Sequence, residues 1–432
     1  MPRLFADISP LREHRAFRRL WLGQVVSGLG SQLTIVGIAY QTYRLTGSSF
    51  MVGLVSLVQL APLLVGSLWG GSIVDAHDRR RVLLVTQVAL AATSLGLAVN
   101  AALPHPVLWP IFLCTAASAG FQGVDMPARR AALPMIVPHD DLPAAIALQQ
   151  VLFQLTAVVG PALAGLLIAT TSLSFVYGAD VASFGAGFTA VVLLPALVPA
   201  GGGTPAGWRS VAEGMRYLRG QRLLASTFWI DINAMVFGMP RALFPALGTQ
   251  FFGGGAGTVG LLYAAPAAGA LIGALLTGWV SAVRRQGRAV VIAVIVWGAA
   301  IAVFGLIPIL WVGLVLLAVA GAADVVSAVF RNAILQMTVP DHLQGRLNGV
   351  FTAVVTGGPR LGDAEAGAVA AIAGPQVSVV SGGLACIAGV GLIVWKVPEL
   401  WRHDVRATSR AVQHEREAVM DAVIELSESE PG

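Results

Sequence analysis

The sequence predicts an all-α integral membrane protein of twelve transmembrane helices, arranged as two pseudo-symmetric six-helix halves. Three observations carry that prediction. The 432 residues are 56% hydrophobic and 11% charged, with a mean hydropathy of +0.77, whereas soluble domains carry roughly 25% charged residues. The apolar residues fall in runs of bilayer-crossing length, about 17–25 residues each. The chain also echoes itself at nearly one offset. This composition excludes a soluble two-domain enzyme, a disordered chain and a nucleic-acid binder. The net charge of +5 would favour nucleic acid only if the cations shared one soluble face, and they do not. Cys114 and Cys386 lie inside apolar runs and build neither a disulfide framework nor a metal site.

Apolar runs bounded by charge, Pro or Gly place spans at residues 17–43, 50–73, 82–103, 107–127, 145–170 and 174–198. A second set follows at 223–248, 257–282, 289–308, 311–331, 348–373 and 376–395. The first run is long and no small-residue cleavage site follows it, so it is expected to be a retained span and not a signal peptide. The halves are expected at 1–198 and 223–395. Between them lies a linker, 199–222, that opens on a Gly- and Pro-rich stretch. The linker continues as an amphipathic helix with Trp208, Val211, Met215 and Leu218 at helical spacing. A charged tail, 396–432, closes the chain and is expected to be helical to about Leu426.

Orientation follows from the cations. All but three of the 27 Lys and Arg residues fall in the two tails and in every second loop; the exceptions are Arg44, Arg241 and Arg360. By the positive-inside rule both termini are expected in the cytoplasm.

The echo is local and specific. Arg129-Arg-Ala-Ala-Leu-Pro-Met-Ile-Val-Pro138 follows span 4, and Arg331-Asn-Ala-Ile-Leu-Gln-Met-Thr-Val-Pro340 follows span 10, an offset of 202. Gly160-Pro-Ala-Leu-Ala in span 5 and Gly358-Pro-Arg-Leu-Gly in span 11 repeat at 198. Duplicated halves of this kind suit a carrier that rocks one half against the other around a central site.

Two motifs then bear on identity. After span 2 the chain reads Gly71-Ser-Ile-Val-Asp75-Ala-His-Asp78-Arg79-Arg80-Arg81, and span 5 holds Gly160-Pro161-Ala-Leu-Ala164-Gly165. The first resembles the loop 2–3 signature of the major facilitator superfamily, with Ala76 in place of the usual Arg and Asp78 in place of the usual Gly. Those departures imply that the loop's charge relay is wired differently. The second is similar to that superfamily's antiporter signature, with Ala for one Gly, and the resemblance implies export. It covers essentially the whole chain and implies the major facilitator fold. Within the superfamily, Leu262-Tyr-Ala-Ala, Gly345-Arg-Leu-Asn-Gly349 and the frame of residues 17–82 resemble the enterobactin-exporter and drug–proton antiporter group. The residues also have physical reasons of their own. Gly160-Pro161 removes one backbone hydrogen bond and permits a kink. The small residues Gly160, Ala164 and Gly165 admit a close helix neighbour, and a tightly packed kink can serve as fulcrum or seal. Gly71, Asp75, Arg79 and Arg80 are the corresponding gating candidates at the membrane face.

Polar stripes mark the candidate cavity. Span 1 carries Gln24, Ser27, Ser31, Thr34 and Gln41, and Gly23, Gly30 and Gly37 form a packing seam expected on the opposite side. Span 4 carries Thr115, Ser118, Gln122, Asp125 and Arg129; span 10 carries Asp324, Ser327 and Arg331. Such faces turn toward water or toward each other, because lipid penalises them.

An ionisable group at a membrane centre costs about 2.5–3.5 kcal/mol on insertion scales and calls for an explanation. Burial favours the neutral form of a carboxylate, which proton-driven export requires. Asp324 ranks first as a proton-coupling candidate, then Asp231 and Asp125; Asp125 and Arg129 can instead form an inner gate. Asp180 and Arg241 are an expected outer-gate ion pair, with Arg241 otherwise placed to meet an anionic substrate. Arg360 and Asp363 at i, i+3 are expected to neutralise each other in a structural role.

The inventory argues against an enzyme. All seven histidines lie outside the apolar runs, no phosphate-binding loop is present, and Lys396 is the single lysine. No cofactor, metal or protein partner is expected. The expected partners are a small-molecule substrate, protons and the bilayer. The expectation is a proton-coupled exporter of a siderophore or similar amphipathic small molecule in a bacterial cytoplasmic membrane. A broad drug-efflux pump is the alternative, and a non-transporting scaffold or sensor is a third reading.

Overall fold

The computed structural model describes residues 7–198, 208–278, 283–339 and 341–404. The Gly-rich opening of the expected linker and the tail beyond residue 404 lie outside them. Among the described residues the chain is helical and contains no strand. A short α1 (Ser9–Glu13) precedes α2 (Arg15–Thr46). Then come α3 (Ser49–Val58) and α4 (Leu60–Ala76), which together form one rod, followed by α5 (Arg79–Ala102), α6 (Leu108–Ile136), α7 (Leu142–Thr170) and α8 (Leu173–Val192). The linker helix is α9 (Trp208–Gly220), with Leu218 buried in the adjoining core. Beyond it lie α10 (Arg222–Phe237), the three-residue α11 (Phe244–Ala246), α12 (Ala256–Leu275), α13 (Gln286–Phe304), α14 (Leu310–Thr338), α15 (Asp341–Ala373), α16 (Pro375–Lys396) and α17 (Pro398–Arg402).

Among the described residues, ten helices are long and apolar enough to cross a membrane. The two remaining expected spans, α6 and α15, have 29 and 33 residues but carry the polar stripe of span 4 and the Arg360/Asp363 cluster. Their apolarity falls short for that reason. Large apolar side chains cover the outer surface, and exposed tryptophans stand near both ends of the rods: Trp109 and Trp311 at one end, Trp69 and Trp395 at the other. This is the position of an interfacial aromatic belt.

The short turns opposite the arginine-rich loops are fixed by glycine. Gly47 closes α2 with φ +63 and donates its N–H to the Tyr43 carbonyl at 2.7 Å; Gly374, at φ +90, separates α15 from α16. Both values lie in the left-handed region that only glycine adopts without cost.

Buried apolar side chains form separate clusters. The largest draws on residues 218–400 and the next on residues 17–197. The glycine seam of α2 packs on α8. A methyl group on Gly23 would stand 2.5 Å from Ala190 Cβ, and one on Gly37 would stand 3.0 Å from the Tyr177 ring. Between residues 7–198 and 222–404 the main contacts are α7 with α12 and α3 with α15, all toward the end away from the arginine-rich loops.

Candidate functional site

One cavity of about 210 Å³ lies between the two sets of helices. Its polar lining comes from Ser31 and Thr34 of α2, Ser118 and Gln122 of α6, and Asp180 of α8, with Arg241 facing them. Ser118 accepts a hydrogen bond from Gln122 Nε2 at 3.1 Å. These predicted residues therefore share one site.

Helix geometry explains why the rest of the span 1 stripe does not join them. Ser27, Thr34 and Gln41 each follow a seam glycine by four residues and so share its face. The stripe and the seam are neighbours, not opposites. Thr34 Oγ1 donates to Asp180 at 2.6 Å, and Gln41 accepts from Tyr177 Oη at 2.8 Å. Ser27 is buried opposite Gly187 of α8. Gln24 is buried and, like Ser27, does not line the cavity. Only Thr34 serves both surfaces.

The carboxylates also depart from expectation. Asp180 is 1% exposed and accepts from Thr34 at 2.6 Å, Ser94 at 2.7 Å and Ser183 at 3.2 Å. It makes no ion pair with Arg241, and three hydroxyls hold it instead. Arg360 and Asp363 do not pair either. Arg360 donates to the Thr356 carbonyl of its own helix at 2.6 Å. Asp363 instead joins three segments: it accepts from Ser56 Oγ of α3 at 2.6 Å and from the Ala242 N–H at 3.1 Å. That N–H is free because the rod that begins as α10 breaks at Gly238–Pro240 and resumes as a 3-10 turn, Arg241–Leu243. The break places Arg241 in the cavity, and the Tyr263 hydroxyl donates to its backbone carbonyl at 3.0 Å. A discontinuous helix at a binding site is a recurrent carrier feature.

Asp125 forms an ion pair with Arg129 one turn on and accepts from Thr86 Oγ1 at 2.7 Å. The pair ties α6 to α5 and makes no bridge to the other set of helices. Asp231 and Arg331 form a buried ion pair between α10 and α14, with side chains 2% and 5% exposed. Asp324 stands 4.0 Å from the same guanidinium with its side chain 28% exposed. Ser327 is fully buried and does not line the central cavity.

In the loop motif, Gly71 is half-buried and Asp75 exposed. The work passes to Asp78, the residue that departs from the usual pattern. It caps α5, accepting the Arg80 N–H at 2.9 Å, and also accepts the Leu197 N–H at 3.0 Å. Arg79 donates to the Ala131 carbonyl at 3.0 Å and Arg80 to the Val192 carbonyl at 2.6 Å. The two cations thus meet carbonyls near the C-terminal ends of α6 and α8, where positive charge is favoured.

The span 5 motif forms one close approach between the two sets. A methyl on Gly165 would lie 2.7 Å from the Ala256 carbonyl oxygen and 2.9 Å from Gly260 Cα; one on Gly260 would lie 2.5 Å from the Pro161 oxygen. Gly160 packs on Gln32. A second contact, invisible in any motif, joins Gly53 to Asp363 and Gly367 to Ser49. Together these close the end of the cavity away from the arginine-rich loops. Among the described residues one group, Glu13, His14 and Asp141, has spacing suited to a metal. It lies at the surface, where His14 and Asp141 already bond at 2.7 Å.

A bundle of long apolar helices around a central polar cavity, sealed at one end by small residues, defines a membrane transporter of the major facilitator class. Solved structures agree on the fold. The nucleoside transporter NupG (D323A mutant) superposes with a TM-score of 0.73 at 12% identity, covering 89% of this chain and all of that one. A bacterial homologue of the iron transporter ferroportin, in an inward-facing state, gives 0.69 at 14% identity over 90% of this chain and 99% of that one. The chain belongs to the family described as transmembrane secretion effector, whose model matches residues 5–424. Among curated relatives, the enterobactin exporter EntS of Citrobacter koseri is 30% identical over 388 residues, and that of Shigella boydii is 31% identical over the same length. Each match spans 90% of this chain and 92% of the relative.

Proposed function

We propose that this chain exports a siderophore or similar amphipathic small molecule across the bacterial cytoplasmic membrane by proton-coupled alternating access. One observation carries the reading: a polar cavity between two sets of helices, closed at one end by the span 5 motif. Both termini and the arginine-rich loops face the cytoplasm by the positive-inside rule. The chain is then divided as the repeat indicates, into halves at 1–198 and 223–395. Sealing at the far end makes this the conformer that receives cargo from the cytoplasm. The relatives named enterobactin exporter supply the cargo class.

Asp324 couples the proton. Asp125, Asp180 and Asp363 are held by a cation or by two or more donors, and Asp231 is ion-paired. Asp324 alone of the set is both partly exposed and at the limit of ion-pair distance from a shared arginine. Arg331 can therefore exchange Asp231 for Asp324 as protonation changes.

Substrate-driven proton flux in proteoliposomes tests the reading, comparing wild type with Asp324→Asn and siderophore with cationic drugs. Flux with siderophore that disappears in the variant supports it. Flux with cationic drugs alone would move the cargo to the multidrug class. Undiminished flux in Asp324→Asn would remove Asp324 from the mechanism.

A further inference from the structure

Four charged side chains face the central cavity: Asp180, Arg241, Arg360 and Asp363. Their hydrogen-bonding capacities are unequally used. Both carboxylates spend theirs on the protein, Asp180 on three hydroxyls and Asp363 on Ser56 Oγ and the Ala242 N–H. The guanidiniums do not. Arg360 gives one N–H to a carbonyl of its own helix, and its Nε is buried with no acceptor. Arg241 is an exposed residue at the cavity, and among the described residues no carboxylate lies within ion-pair distance of it. A guanidinium carries five N–H donors in a planar fork, and a buried donor without an acceptor is a standing cost. The cavity therefore holds two guanidiniums with donors to spare, beside carboxylates that already accept donors from the protein.

A cationic ligand would meet engaged carboxylates and two repelling guanidiniums. A ligand with planar, negatively charged oxygens would meet two forks built for such groups. Ile35, Ile38, Leu97 and Phe184, which line the same cavity from the other set of helices, offer apolar surface to its body. From these observations we infer that Arg241 and Arg360 form an anion subsite that selects cargo bearing an ionised oxygen group, such as a carboxylate or phenolate, attached to an apolar body. The inference rests on the transport reading above and narrows its cargo to anions.

Three probes of one shape separate charge from size: 1-naphthoate, its neutral amide 1-naphthamide, and the cation 1-naphthylmethylammonium. Binding is measured by calorimetry on the full chain in nanodiscs. The naphthoate is expected to bind wild type at least tenfold tighter than the amide, and the ammonium more weakly than either. R241Q and R360Q are each expected to reduce the naphthoate-to-amide ratio about threefold, and the double variant to abolish it. Ammonium binding as tight as naphthoate, or absence of naphthoate binding, overturns the subsite on wild-type protein alone, whatever the variants do. A double variant with the wild-type melting temperature and an unchanged ratio overturns it too. If siderophore export fails while the naphthoate preference holds, the cargo reading falls and the subsite stands. If export proceeds in a double variant stripped of the preference, the reverse holds.

Discussion

Replacing Gly165 with Ala tests whether the span 5 motif is a seal that exists in one conformer only. The added methyl would sit 2.7 Å from the Ala256 carbonyl oxygen, 2.9 Å from Gly260 Cα and 3.1 Å from Gly257 Cα. These are backbone atoms on the opposing helix, so no side chain can rotate away. Overpacking of this kind costs about 1–3 kcal/mol, and here it falls only on the conformer in which α7 and α12 touch. The equilibrium between sealed and opened forms should shift by roughly 5- to 150-fold toward the opened form. Gly257→Ala is the control, because a methyl there meets nothing within 4 Å while the helix-propensity gain, about 1 kcal/mol, is the same. Spin labels on Arg130→Cys and Arg284→Cys, with Cys114 and Cys386 replaced by Ala, report the separation of the arginine-rich ends by pulsed electron resonance. Gly165→Ala should populate a shorter distance that Gly257→Ala does not. Identical distance distributions for both variants, with unchanged melting temperatures, would refute the idea that this contact opens during the cycle.

Three further outcomes follow from individual groups. Asp363→Ala leaves the Ala242 N–H and Ser56 hydroxyl without an acceptor at the second seal, a cost of about 1–3 kcal/mol. The same label pair should show the sealed form depleted, and Asp363→Asn, which keeps one acceptor oxygen, should show a smaller effect. Arg331→Met strands Asp231 in an apolar setting and should lower stability by about 3–5 kcal/mol in a nanodisc melt. Adding Asp231→Leu should recover most of that loss if the pair, and not a fold-wide defect, is responsible. His403 lies past the last span against α13, next to the point where the Leu400 carbonyl meets Gly287. Burial lowers its pKa below the usual imidazole value, with Asp404 opposing in part. A depressed pKa stabilises the docked segment above the unfolded value of about 6.5, and that stability is lost as pH falls through the folded value. Hydrogen exchange of residues 398–403 should therefore accelerate as pH falls below that unfolded value (after correction for the intrinsic rate) and should do so less in His403→Gln.

Composition and run length made the fold legible, because bilayer thickness imposes helix length whatever the side chains. The seam of Gly23, Gly30 and Gly37 and the closing role of Gly165 were legible for a similar reason: only small residues allow backbones to approach. The polar stripe was legible as a pattern but not as a destination. Ser31 and Thr34 reach the cavity while Ser27 and Gln41 turn to α8, and a step of one residue, 100° of helix, decides between them. Partners across helices were not legible. Asp363 lies three residues from Arg360, so local spacing pointed to a neutralising pair. Its actual partners, Ser56 and Ala242, are 307 and 121 residues away. The break at Gly238–Pro240 offered the missing signal, since a helix interrupted beside a carboxylate-bearing span releases N–H groups that need an acceptor.

The unequal treatment of the two internal echoes bears on how such a carrier is driven. The repeat places Arg129 and Arg331 at equivalent positions, but Asp125 answers Arg129 from its own helix and Asp231 answers Arg331 from another. An i, i+4 pair is internal to one rigid helix and persists however that helix tilts. A pair between α10 and α14 depends on how two helices pack. With Asp324 waiting at 4.0 Å from the same arginine, the second pair has an alternative arrangement already within reach, and the first has none. At the two equivalent arginines the difference is therefore one of geometry: Arg129 is held within a single helix, whereas Arg331 is shared between helices, with a second carboxylate, Asp324, at the position the repeat equates with Gln122.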